Sequence, residues 1–197
     1  MTADVHPAGG YARIYDRLYR LGYHRNRTKS HAKVLAPRCL ERWRPQSVLD
    51  VGCSLGWTLD YFTREGVANA VGVDVSEIAA RKGRALGRDI RVSCASRLPF
   101  EDDAFDAVLS TDCLEHLRED DARRAVSEMC RVARRGIAVK VNPRLDRDRW
   151  WQFVARAPLH LTLRPTDAWL RWFEEDGWVV VEGDDEREEY LLEPRTA

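Results

Sequence analysis

The chain has 197 residues, enough for one domain with a substantial core, and its 32 basic and 32 acidic residues cancel, so no global field favours nucleic acid or an anionic membrane. The longest apolar runs are too short to span a bilayer and Met1 to Gly10 lacks the hydrophobic segment of a signal peptide, so a cytoplasmic protein is expected. Cys39, Cys53, Cys94, Cys113 and Cys130 are an odd number with no C-x-x-C pair, which argues against a disulfide framework and a zinc knuckle and leaves them as reduced thiols.

Met1 to Gly10 reads as a frayed end. Tyr11, Tyr15, Tyr19 and Tyr23 then recur every fourth residue, with Ile14, Leu18 and Leu21 beside them, which predicts a helix carrying its phenols along one face. Packing of that face on a sheet is the plain reading. Gly22 to Arg27 reads as a connector, His24 and His31 as surface or capping residues, and Ser30 to Trp43 as a second helix bearing Val34, Leu35 and Leu40.

Ser47 to Val51 is a short apolar run around Asp50 that suits a buried parallel strand; Gly52 to Gly56 is a small-residue turn, and a helix runs from Trp57 until Gly66. Strand, turn and helix make half of a nucleotide-binding βαβ unit, in which glycines let a ligand approach the backbone and helix N–H groups favour polar groups. The spacing is not G-x-G-x-x-G, so a bound pyrophosphate is poorly supported. Read from Asp50, D-x-G-x-x-x-G resembles the first motif of class I S-adenosylmethionine-dependent methyltransferases, usually D-x-G-C-G-x-G, whose turn wraps the methionine part of the cofactor. Ser54 stands where the middle glycine is usual, which a small side chain tolerates at negative φ.

Ala70 to Asp74 reads as the second strand, and an acid at its C-terminal end is placed to accept hydrogen bonds from two ribose hydroxyls. The run Val71 to Ser76 also resembles the family's second motif, and Ser76 can cap a helix over Glu77 to Leu86. Ile90 to Cys94 is the third strand. It leads into Ala95 to Phe100, similar to the family's D-A-x-x-L-P-F, where the acid binds the adenine amino group and the next N–H a ring nitrogen. Cys94 replaces that acid, while the N–H of Ala95 keeps its place. Phe105 to Ser110 is strand four. The resemblance implies S-adenosylmethionine as cofactor, held by Asp50, Gly52, Cys53, Ser54, Gly56, Asp74, Val75, Cys94, Ala95, Ser96, Ser110 and Thr111. It also implies that the tyrosine-bearing helix closes as a lid, with Tyr11, Tyr15 and Tyr19 near the acceptor.

Thr111 to Leu117 is similar to the L-E-H segment of ubiquinone- and menaquinone-biosynthesis methyltransferases, and it follows strand four, where cofactor and acceptor should meet. His116 can accept a proton near neutrality, and His160 is an alternative base; a packing role for the Glu-His pair is the other reading. Asp112, Glu115 and His116 share a helical face and, with His160, look like the metal pattern of small-RNA 2′-O-methyltransferases. A solvated helix start explains the acids equally, and no metal is favoured. Asp120 to Val132 is a helix and Ile137 to Val141 strand five, with Lys140 snorkelling to the edge. Asn142 to Arg164 forms a cap whose Trp150 and Trp151 either stack on a flat acceptor or close a core. Thr166 to Asp176 is the last helix, and Trp178 to Glu182 with Arg187 to Leu192 a hairpin.

The expected fold is α/β, Rossmann-like and doubly wound, with a mainly parallel seven-stranded sheet and an antiparallel C-terminal hairpin. One domain is expected, divided into an N-terminal helical lid (1–46), a cofactor-binding core (47–142), a substrate cap (143–165) and a C-terminal helix and hairpin (166–197). The implied function is methyl transfer to a small-molecule acceptor, by O- or N-methylation in biosynthetic metabolism, without nucleic-acid or membrane partners. An RNA methyltransferase and a non-catalytic cofactor-binding protein are the rival readings.

Overall fold

A computed structural model describes residues 7–23, 32–142, 149–156 and 158–196; His24, His31 and the start of the expected cap, 143–148, lie outside them. The helices are α1 (Pro7–Arg20), α2 (Ala32–Trp43), α3 (Trp57–Arg64), α4 (Glu77–Arg84), α5 (Glu119–Val132), α6 (Arg149–Ala155) and α7 (Thr166–Glu175). The strands are β1 (Ser47–Val51), β2 (Asn69–Asp74), β3 (Asp89–Val92), β4 (Phe105–Thr111), β5 (Ala133–Lys140), β6 (Trp178–Asp184) and β7 (Glu189–Pro194), in the spatial order β3-β2-β1-β4-β5-β7-β6. All neighbours are parallel except at β7, which runs antiparallel to both β5 and β6.

The alternation of side chains along the strands sorts the core into two layers. Leu49, Val51, Val71, Val73, Val108 and Val139 meet α5 and α7 on one face. On the other, Val48, Ala107, Leu109 and Ala138 meet Leu35, Cys39 and Trp43 of α2 and Phe62 of α3. Among the described residues no helix is long and apolar enough to cross a membrane.

The structure differs from the sequence expectation at two element ends. Pro7 to Gly10 is the first turn of α1 and not a frayed end, since proline is pre-set for that position. Strand β5 begins at Ala133, not Ile137, because Ala133 is already in register with Phe105 and Arg134 is drawn to Asp106, its Nη2 2.6 Å from Oδ1. The same Asp106 accepts the N–H groups of Gln46 and Ser47, at 2.8 and 3.1 Å, and so fixes where β1 starts.

Gly136 shows how tightly α2 lies on the sheet: a Cβ there would sit 2.2 Å from Cε2 of Trp43. Trp43 cannot swing freely, because its Nε1 donates to Glu193 Oε1 at 2.9 Å. Gly136→Ala should therefore cost about 1–3 kcal/mol by overpacking. A thermal melt should show a drop of roughly 2–4 °C per kcal/mol for a chain of this size; an unchanged midpoint would mean that the ring yields.

Candidate functional site

The turn after β1 is tied to the end of β2: Gly52 and Cys53 donate their N–H groups to Val73 O at 2.9 and 3.0 Å. Gly52 has φ +80°, and a Cβ on it would lie 2.4 Å from Cys113 Sγ, so the chain leaving β4 can approach only a glycine. Cys53 turns its thiol inward among Leu59, Ala80 and Ile90, where burial pushes the thiol pKa up, so only its backbone remains at the turn. Ser54 departs from expectation. Its φ is +55° rather than negative, a left-handed conformation that costs an L-residue roughly 1 kcal/mol. Two contacts hold it there: its N–H donates to Asp74 Oδ2 at 2.9 Å, and its hydroxyl shares a hydrogen bond with Tyr19.

Arg88, which no local sequence signal marked, clamps the far side of the turn. Its Nη1 donates to Leu55 O, its Nε to Asp60 Oδ1 at 2.8 Å, and its guanidinium lies 4.1 Å from the centre of the Trp57 ring. Gly56, with φ +77°, precedes the first turn of α3 inside this clamp.

Asp74 is buried, and its two oxygens each accept one backbone N–H, Ser54 on Oδ2 and Ser76 on Oδ1 at 2.8 Å. Burial pushes its pKa up to about 6 against those two donors. Each oxygen keeps a lone pair for another donor. Asp50, buried behind it and bonded to Thr58, is pushed up to about 7, chiefly by burial and further by the Asp74 charge. Helix α1 lies across this region. Asp16 Oδ1 accepts Ser76 Oγ at 2.6 Å and the N–H of Ile78 at 3.1 Å, and Lys82 Nζ donates to the Tyr19 carbonyl at 2.9 Å.

The tyrosine stripe therefore divides along its length. Tyr19 covers Ser54 and Asp74, whereas Tyr11 sits at the start of α5, donating to Asp121 Oδ2 at 2.9 Å and accepting from the N–H of Arg118 at 2.8 Å. Tyr15 lies between them with its ring edge-on to His116, 5.9 Å between centroids.

On the β3 side, Ser93 N donates to Asp74 O at 3.0 Å, and the buried Cys94 and Ala95 follow. The Cys94 Sγ is 3.1 Å from Ser96 Oγ, and Val75 is half-buried beside them. Ser110, fully buried, spends its hydroxyl on Val51 O at 3.1 Å, and Thr111 is in register with Lys140.

Leu114–His116 is a buried 3₁₀ turn, not the solvated helix start that the acids suggested. Asp112 is separated from the other residues of the D-x-x-E-H pattern: at φ +49°, its Oδ1 accepts from Lys140 Nζ at 3.0 Å. Lys140 in turn is buried rather than snorkelled to the edge. The chain after α6 is strapped onto this turn, with Leu161 N and Thr162 N donating to Glu115 O at 2.8 and 3.1 Å and Thr162 Oγ1 to Leu117 O at 2.7 Å. Those bonds bring His160 to His116, with ring centroids 4.8 Å apart. His116 Nδ1 lies 2.9 Å from Leu159 O, which requires the proton on Nδ1 and leaves Nε2 as an acceptor. The ligating atoms of Glu115, His116 and His160 all fall within 4.8 Å of one another, so these three side chains can take up a proton or hold a divalent cation.

The two cap tryptophans part company. Trp151 is buried and edge-on to Tyr23, 5.0 Å between centroids, whereas Trp150 points outward against Phe153 and is not brought to the site.

Comparison with known proteins finds likenesses to methyltransferases. A methyltransferase domain matches residues 49–139. The chain is 34% identical over 113 residues to ajmaline N-methyltransferase of Rauvolfia serpentina, covering 53% of this chain and 38% of that protein. It is 35% identical over 104 residues to a probable chloroplastic tocopherol O-methyltransferase of Oryza sativa subsp. japonica, covering 49% and 28%. The chain thus matches about a third of the length of these curated relatives. Its fold is similar to that of a magnesium protoporphyrin IX methyltransferase of Synechocystis PCC 6803 solved with bound SAH, with a TM-score of 0.65, 15% identity, and 94% and 96% of the two chains covered. A methyltransferase domain at residues 49–139, within a sheet of this topology, is thus what the chain shares with these proteins.

Proposed function

We propose that this chain moves the methyl group of S-adenosylmethionine to an oxygen or nitrogen of a small molecule, as a small L-E-H-type methyltransferase of biosynthetic metabolism in the cytoplasm. The observation that carries the reading is the buried carboxylate of Asp74 at the end of β2, bonded to Ser54 N and Ser76 N and covered by Tyr19. The names of the two curated relatives, an N- and an O-methyltransferase, support a small acceptor.

When bound, the cofactor supplies a methyl group already activated on a sulfonium, so the chain's work is mainly to orient and exclude water. Asp74 accepts the two ribose hydroxyls, and the turn Gly52–Gly56 with Asp50 surrounds the methionine part. Val75, Cys94, Ala95 and Ser96 flank the adenine. Cys94 cannot take the acid's part toward the adenine amino group, which leaves the Ala95 N–H as the polar contact. Tyr19 and α1 keep water from the site; Tyr15, His116 and His160 face the acceptor, where Nε2 of His116 takes the nucleophile's proton when there is one to lose. The Glu115, His116 and His160 cluster favours one second reading, in which a divalent cation held there lowers the acceptor's pKa instead.

Asp74→Asn should weaken S-adenosylhomocysteine binding roughly tenfold or more in a calorimetric titration while the far-ultraviolet spectrum is kept. Equal affinity would remove Asp74 from the ribose site. The pH dependence has two opposite arms. The folded pKa values of about 6 for Asp74 and about 7 for Asp50 lie above their usual 3.8, so the folded chain holds protons that the unfolded chain releases. The ligand-free protein should thus lose stability as pH rises from 4 to 7, by an amount on the order of 2–4 kcal/mol per acid. Cofactor binding should strengthen as pH rises through about 6, because the ionised carboxylate is the better acceptor of hydroxyl protons.

His116→Asn should cut S-adenosylhomocysteine release, measured over a panel of phenols and amines, by about 10²–10⁴ with cofactor affinity kept. Chelator should leave the rate unchanged; a rate lost to chelator and restored by a divalent metal would put the second reading first.

A further inference from the structure

The two helices that close over the turn have outer faces the methyl-transfer reading does not use. Helices α1 and α6 pack together through Leu18, Tyr19, Trp151 and Val154. Outward, α6 presents Trp150 at 65% and Phe153 at 75% exposure, their rings 6.2 Å apart, and Leu21, just after α1, is 59% exposed. Isolated exposed apolar side chains are ordinary, but two large aromatics side by side are not. The outer face of α1 carries Arg13, Arg17 and Arg20 at helical spacing, all exposed, and α6 is followed by the exposed Arg156. Across residues 10–23 and 150–156 four arginines face one acid, Asp16, and its carboxylate is already bonded to Ser76 and Ile78. The chain's zero net charge therefore hides a surplus of positive charge on the two helices that also carry the exposed aromatics.

Aromatic rings flanked by arginines are the composition that settles at a lipid headgroup layer, where rings enter the acyl boundary and guanidinium groups meet phosphate. We propose that the outer faces of α1 and α6 dock on an anionic phospholipid surface, from which an amphiphilic acceptor would reach the site. No helix need cross the bilayer for this.

Co-sedimentation of the full chain with vesicles tests the proposal, using phosphatidylcholine alone and phosphatidylcholine with about 30 mol% phosphatidylglycerol. Binding should need the anionic lipid and weaken several-fold at about 0.5 M salt. The double variant Trp150→Ser with Phe153→Ser should lower the bound fraction about tenfold, as should Arg17→Glu with Arg20→Glu, with circular dichroism unchanged. Absence of vesicle binding, or binding indifferent to both pairs of substitutions, overturns the proposal. So does a dimer that the aromatic double variant dissociates in the absence of vesicle binding, since the face would then belong to a second copy of the chain. Cofactor titration of the same preparations is a separate measurement, so failure of the surface and failure of the methyltransferase reading are told apart.

Discussion

A buried carboxylate must be satisfied where it stands, and in this chain that requirement at Asp74 organises the cofactor side of the molecule. Its two oxygens draw in the N–H groups of Ser54 and Ser76, one from the turn after β1 and one from the start of α4. The first bond holds Ser54 in a left-handed conformation that its side chain disfavours. The second leaves the Ser76 hydroxyl to accept from Ala79 N and donate to Asp16, and Asp16 belongs to α1. Turn, helix start and covering helix are thus linked through one side chain. A change at Asp74 reaches the position of Tyr19 without touching it.

The centre of the fold was readable because its signals are local. Hydrophobic runs of strand length, an acid at the end of the second strand and a serine at a helix start each follow from a few adjacent residues, and their order predicted both the topology and the methyltransferase domain. What was not readable depends on partners far along the chain. The φ of Ser54 is set by Asp74, twenty residues on, and Lys140 stays inside because Asp112 meets it across 28 residues. Arg88 acts on Leu55 and Asp60 from beyond a whole βα unit. The L-E-H segment resembled a solvated helix start, since acids gather there, until the returning cap buried it.

That returning cap shows the same limit in another form. His160 meets His116 because the carbonyls of Glu115 and Leu117 accept from residues 161 and 162 and the Leu159 carbonyl accepts from His116, and backbone groups leave no mark in a sequence. Trp150 and Trp151 are adjacent and identical, yet one is exposed and the other closes on Tyr23. Which of two neighbours faces inward depends on the phase of a short helix, and the sequence of so short a helix contains too few turns to fix it.

The burial of charge bears on function as well as on stability. Among the described residues six acids are buried, Asp50, Asp74, Asp106, Glu115, Asp121 and Glu189, but of the lysines and arginines only Arg88 and Lys140. A chain with no net charge that withdraws more acids than bases from solvent leaves a surface that leans positive. Protonation of Asp50 and Asp74 near their raised pKa values adds to that lean, since it removes negative charge that nothing at the surface replaces. Neutral composition therefore does not imply a neutral surface. What this chain offers to charged partners is set by where its carboxylates are buried, and they are buried largely where its strands and turns need hydrogen-bond acceptors.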